Sequence, residues 1–121
     1  MRRGSSTGTM TKAERAWVDA VKRAGCLCCI QRGFPHDMDG SVVEAHHLLS
    51  GGVRRGHLFT VGLCSWHHRG RLIVEGWTNE RHRERLGPAL SEGSVPFRDE
   101  FGSDDALLEM QVQMMGESNA G

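Results

Sequence analysis

Three short runs of the chain gather residue types that bind metals and move protons. Cys26-Leu27-Cys28-Cys29, Ala45-His46-His47 and Leu63-Cys64-Ser65-Trp66-His67-His68 contain all four cysteines and four of the seven histidines. Tetrahedral zinc is commonly held by two tight turns, each giving two sulfur or imidazole ligands. Cys26-x-x-Cys29 and Cys64-x-x-His67 have that spacing, so the sequence predicts a structural zinc at Cys26, Cys29, Cys64 and His67, with Cys28 a spare, either an idle thiol, the favoured reading, or a substitute for a neighbour. His46, His47, His57 and His68 are then in surplus, together with His36 and His82. Neighbouring residues of a strand point to opposite faces, so one of His46 and His47 can ligate a metal while the other works on substrate. His68 follows a zinc ligand and is expected to project toward the same strand. The result is a second, open metal site of His46 and His68 with a water, and His47 beside it as a base with a pKa near neutrality.

Size and charge limit what surrounds such a site. A chain of 121 residues fits one domain and buries only about two thirds of its unfolded surface, so a metal staple contributes materially. No stretch is apolar and long enough to span a membrane, and no signal-peptide core follows the start. The cysteines are therefore read in a reducing cytosol, where metal binding is favoured over disulfides. The 15 basic and 15 acidic residues cancel, but they are unevenly spread. Arg54, Arg55, Arg69, Arg71, Arg81, Arg83 and Arg85 lie around and after the histidines, while Asp99, Glu100, Asp104, Asp105 and Glu109 crowd the C-terminal end. A polyanion on one face suits that asymmetry. Arg54 and Arg55, in the loop Gly51-Gly52-Val53-Arg54-Arg55-Gly56, and Arg69 and Arg71, flanking His68, are the candidate phosphate contacts. Arg81, Arg83 and Arg85, interleaved with Glu80 and Glu84, read as an exposed charged helix, and Trp17 and Trp66 as core.

The elements that must position these residues are short. Residues 1–10 read as a disordered arm, with Met10 a second candidate start. Thr11 and Glu14 form a capping box for a helix whose apolar positions are Ala13, Ala16, Trp17, Ala20, Val21 and Ala24, stopped by Gly25. Residues 31–40 are turn-rich. Ser41 to Leu48 reads as a strand with Val43, Ala45 and His47 on one face and Glu44 and His46 on the other, ended by Ser50-Gly51-Gly52. A second strand is expected over Leu58 to Gly62, then a helix or turn at His67-His68 that Gly70 interrupts. Further helices are expected over Asn79 to Leu86, over Val95 to Phe101 capped by Ser94, and over Asp104 to Met115 capped by Ser103, with Leu107, Leu108, Val112 and Met115 facing inward.

Taken together, the paired Cys-x-x-Cys, Ala-His-His and Leu-Cys-x-x-His-His resemble the HNH endonucleases, whose ββα-metal finger wraps a structural zinc. More narrowly, the run from Gly25 to Gly70 is similar to the Ref-type phage recombination-enhancement nucleases, which act on DNA within RecA filaments. Gly87-Pro88-Ala89-Leu90, Gly93-Ser94-Val95-Pro96-Phe97 and Phe101-Gly102-Ser103-Asp104 also look like the tail of related phage proteins. The resemblance implies an α+β fold: a small zinc-stapled, treble-clef-like finger with an N-terminal helix and C-terminal helices. The nuclease domain would occupy residues 11–115, followed by a flexible tail over 116–121. It also implies a magnesium or manganese ion on His46 and His68, His47 as general base, and single-metal hydrolysis of DNA leaving 5′-phosphate and 3′-hydroxyl ends. The implied setting is the cytoplasm of a phage-infected or prophage-carrying bacterium, with DNA and a recombinase filament as partners. The middle asparagine of the HNH pattern has no match, and His57 or Thr60 is expected to position the base instead. Two rivals stand beside this reading: a non-catalytic zinc module for DNA or protein partners, which has no need of His46, His47 and His68 together, and a packaging- or junction-directed nuclease on the same finger.

Overall fold

Thr11 and Glu14 open the fold as a reciprocal pair. The Thr11 hydroxyl accepts from the Glu14 amide at 3.1 Å and the Glu14 carboxylate accepts from the Thr11 amide at 2.9 Å, which satisfies two of the otherwise orphaned donors at a helix start. In the computed structural model, which describes residues 9–34, 43–50 and 53–120, this box begins helix α1, Lys12–Ala24. Most of the expected N-terminal arm, the turn residues 35–40 with His36, Ser41 and Val42 of the expected first strand, and Gly51-Gly52 lie outside the described residues. The buried side chains of α1 are Val18 and Val21, whereas Ala13 and Ala16 are exposed. The helix rotates to bury the larger valines, because apolar area, not the count of apolar positions, sets the gain.

Gly25, at φ 103°, turns the chain directly into α2, Leu27–Gln31, whose N-cap is Cys26. Strand β1, Val43–His47, pairs antiparallel with β4, Thr60–Cys64, with Ala45 opposite Gly62 and His47 opposite Thr60. Between them β2, Leu49–Ser50, and β3, Val53–Arg54, form a second, two-residue antiparallel ladder. The strand expected over Leu58 to Gly62 is therefore displaced toward the C-terminus. Leu58 and Phe59 belong to an exposed turn closed by the Phe59 amide on the Gly56 carbonyl at 3.1 Å, while every residue of β4 is buried. Burying Val61 and Leu63 outweighs keeping Leu58 in the ladder.

Cys64 ends β4 and caps α3, Ser65–Arg69, which Gly70 closes in the left-handed conformation at φ 76°. Helix α4, Asn79–Leu86, follows with Thr78 as its cap. A 3-10 turn at Leu90–Glu92 leads to α5, Ser94–Phe101, and α6, Asp104–Ala120. The cap of α5 is Gly93, not Ser94, which is itself the first helical residue. Ser103 does cap α6, accepting from the Ala106 amide at 3.2 Å, and that helix continues past Met115, since Gly116 weakens a helix without stopping it.

α1 crosses the β1–β4 sheet and α6 and α2 pack against β4, giving an α+β molecule with its core among Leu27, Leu63, Trp66, Leu86, Phe97 and Leu107. The inward stripe of α6 is Leu107, Gln111 and Met115, with Val112 exposed, because the Gln111 carbonyl oxygen accepts from the Gly62 amide of β4 at 2.9 Å. Among the described residues, no helix is long and apolar enough to cross a membrane.

Gly62 is required by contact as well. A Cβ there would lie 2.4 Å from the Gly25 carbonyl oxygen and 3.1 Å from that of Val21, both main-chain atoms at the end of α1. Gly62→Ala is therefore expected to destabilise the fold by about 1–3 kcal/mol through overpacking, read as a lowered thermal midpoint. An unchanged midpoint would show that α1 is free to move away.

Candidate active site and metal centre

Cys26 and Cys29 approach from the start of α2, Cys64 from the end of β4 and His67 from α3. The four side chains are buried and their ligand atoms all lie within 4.8 Å of one another. His67 Nδ1 is 3.4, 3.6 and 3.3 Å from the sulfurs of Cys26, Cys29 and Cys64, and the Cys29 and Cys64 sulfurs are 3.8 Å apart. A tetrahedral ion with metal–sulfur bonds of ~2.3 Å has ligand–ligand edges of about 3.8 Å, so the quartet fits such an ion. His67 is turned to serve it: its Nε2–H donates to the Leu86 carbonyl at 2.7 Å, which directs Nδ1 toward the sulfurs. Burial opposes a charge on Cys26, but hydrogen bonds from its cysteine and histidine neighbours outweigh it and hold the thiol well below its ordinary value. Cys28 is buried outside the quartet, and burial pushes its thiol up.

The catalytic candidates form two pairs on either side of β1. On one face the His46 ring lies 5.0 Å from the His68 ring, edge to face. Burial, reinforced by His68, pushes the His46 pKa down to about 4, so its imidazole is neutral and able to ligate. Glu44, two residues earlier on the same face, meets His68 Nδ1 at 2.5 Å and Arg69 Nε at 3.1 Å. On the other face His47 Nε2 lies 3.0 Å from His57 Nδ1. Burial, Arg54 and His57 together lower the His47 pKa. Thr60 reaches this pair through the backbone, its hydroxyl donating to the His57 carbonyl at 3.3 Å and accepting from Trp17 Nε1 at 2.9 Å. Trp17, expected as plain core, thus ties α1 to the loop that carries His57.

Two clefts meet these histidines. One, of about 360 Å³, is lined by Lys22, Glu44, His47, Arg54, His68 and Arg69. The other, of about 340 Å³, is lined by His46, Leu49, Leu90, Ser94, Arg98 and Asp104. Arg54 and Arg69 are therefore brought to the histidines, while Arg55 and Arg71 line neither cleft. Arg55 is drawn to the Leu49 carbonyl at 3.2 Å and to Asp105 at 2.8 Å, which is where part of the C-terminal acidity goes. Arg32 similarly takes up Glu100 at 2.6 Å.

His82 belongs to the frame. It is fully buried, accepts at Nε2 from the Ile73 and Val74 amides and donates from Nδ1 to the Thr78 carbonyl. On α4, Arg83 pairs with Glu92, and the guanidiniums of Arg81 and Arg85 each lie 5.5 Å from the centre of the Trp77 ring. Glu44, Arg98 and Asp104 were missed by reading along the chain. Only the alternation of β1, which puts Glu44 on the face of His46, carried a signal for any of them.

A family model described as recombination enhancement, RecA-dependent nuclease matches residues 10–116. No curated protein and no solved structure matches the chain.

Proposed function

The chain belongs to the family of recombination-enhancement, RecA-dependent nucleases, and from that membership we propose that it is a metal-dependent DNA endonuclease of the HNH type, built on a ββα-metal finger around a structural zinc. Its substrate is DNA coated by a recombinase or branched during recombination. The observation that carries the reading is that His47, paired with His57 at 3.0 Å, lines one cleft with His68, whose ring lies 5.0 Å from that of His46. A base and a ligand pair are thereby brought together from adjacent strand residues.

The two histidines 5.0 Å apart, one neutral by burial and the other held at one nitrogen, fit a divalent ion. When bound, that ion supplies charge neutralisation at the scissile phosphate and the departing 3′ oxygen. The remaining work falls to the chain. With its Nε2 proton donated to His57 Nδ1, His47 offers Nδ1 to take a proton from the attacking water. His57 does the positioning left open by the missing asparagine, and Thr60 holds the His57 backbone in turn. Arg54 and Arg69 contact phosphate from the cleft, and Arg55 and Arg71 extend that basic surface.

The test is incubation of zinc-loaded protein with plasmid and magnesium or manganese, with and without a recombinase filament. Nicking that needs the added ion supports the reading. Its absence under every condition, with the zinc site full, would favour a binding module instead. His46→Ala and His68→Ala are expected to raise the ion concentration needed for half-maximal cleavage while zinc content stays at wild-type level. An unchanged requirement in both variants would remove these histidines from the ion.

A further inference from the structure

His67 and His68 are consecutive, and each is held at one ring nitrogen by a different kind of partner. The Leu86 carbonyl holds His67 at Nε2, which directs Nδ1 to the sulfurs. Glu44 holds His68 at Nδ1, which leaves Nε2 as the ligating nitrogen of a ring 5.0 Å from that of His46. The second arrangement has a stronger need of its partner. His68 sits near the end of a five-residue helix, its side chain is 23% exposed, and an imidazole so placed has rotamers and two tautomers to choose from. A carboxylate accepting from one ring nitrogen removes that freedom and makes the other nitrogen more basic.

We propose that Glu44 is the positioning residue of the catalytic ion: its carboxylate fixes His68 with Nδ1 protonated and Nε2 turned toward His46. Arg69 completes the device. Its Nε donates to the same Oε1 at 3.1 Å, so the oxygen facing His68 is held by two donors. Glu44 and His46 leave β1 on one face, two residues apart, so one strand sets both the ligand and the support of the ligand opposite. The chemistry of the ion makes this consequential. Two neutral imidazoles favour transition metals over magnesium, and an anionic carboxylate behind one of them raises the negative charge that the hard cation meets. This inference rests on the reading of His46 and His68 as the ligand pair.

The experiment is titration of the full-length, zinc-loaded protein with Mn²⁺, following free Mn²⁺ by electron paramagnetic resonance, with thermal unfolding and zinc content measured on every variant. Loss of an outer-shell partner of this kind costs roughly 10–100-fold in metal affinity, which is the expected rise in Kd for Glu44→Ala. Glu44→Gln, which keeps a neutral acceptor for Nδ1–H, is expected to fall between Glu44→Ala and wild type, and it carries the test if the alanine variant fails to fold. Because Glu44 acts through His68, adding Glu44→Ala to His68→Ala is expected to cost nothing more. Two results would overturn the proposal: wild-type Mn²⁺ affinity in Glu44→Ala while His68→Ala binds weakly, or full additivity of the two substitutions. If neither His46→Ala nor His68→Ala weakens binding, it is the ligand assignment beneath the proposal that fails.

Discussion

Replacing His47 by alanine is expected to slow DNA cleavage by ~10²–10⁴-fold, the usual contribution of a positioned general base, while zinc content and DNA binding stay near wild type. The effect is large because the imidazole paired with His47 is itself held in place. His57 faces His47 through Nδ1 at 3.0 Å and has its backbone carbonyl tied to Thr60. The stability cost is small, since the lost side chain gives up one hydrogen bond, a net of about 0.5–1.5 kcal/mol. The discriminating comparison is single-turnover cleavage at saturating ion. A His47→Ala protein that cleaves at the wild-type rate would require another base, whereas one rescued by more metal would place His47 among the ligands.

Denying an ion to the Cys26, Cys29, Cys64 and His67 quartet is expected to abolish the fold, not only the activity. Structural zinc sites hold about 10–16 kcal/mol of apparent binding energy, as large as the whole net stability of ~5–15 kcal/mol usual for a domain. Here the quartet joins the start of α2, the end of β4 and α3, and through the His67–Leu86 hydrogen bond also the end of α4. Without an ion, three sulfurs and an imidazole are left buried with only one another as partners. Cys64→Ser, or chelation of the wild-type protein, should eliminate the cooperative thermal transition and most of the far-ultraviolet circular dichroism of the helices. A chelated protein that still unfolds cooperatively near the wild-type midpoint would show that the apolar core suffices by itself.

Much of this arrangement is legible in the sequence where the physics is local. The Thr11–Glu14 box, the turn at Gly25, the left-handed Gly70 and the span of α4 all follow from neighbours within one turn of chain. The metal quartet is legible for a related reason: two ligands per tight turn is a constraint that spacing alone expresses. What escaped is decided across the fold. Gln111 replaces Val112 on the inner face of α6 because a β4 amide needs an acceptor there. Leu58 and Phe59 leave the ladder because Val61 and Leu63 have the deeper core to fill. The pairing of Arg55 with Asp105, 50 residues on, has no trace in the residues around Arg55. His82 has the same residue type as the ligands and only its buried hydrogen bonds set it apart. Glu44 reads only as a residue on the His46 face of the strand until His68 and Arg69 are folded over it.

The adjacency of His67 and His68 also limits how this chain can change in length. One residue inserted between them would turn His68 by about 100° and carry it ~1.5 Å along the helix axis, away from Glu44 and His46, although every ligand would still be present in the sequence. The same insertion placed after Gly70 would leave both sites in register. With the ligand roles proposed for His67 and His68, this segment can vary in composition but not in count, so insertions and deletions should be tolerated after Gly70 and not between Cys64 and His68. A scan of single-residue insertions across 63–75, scored for zinc content and cleavage separately, would draw that boundary.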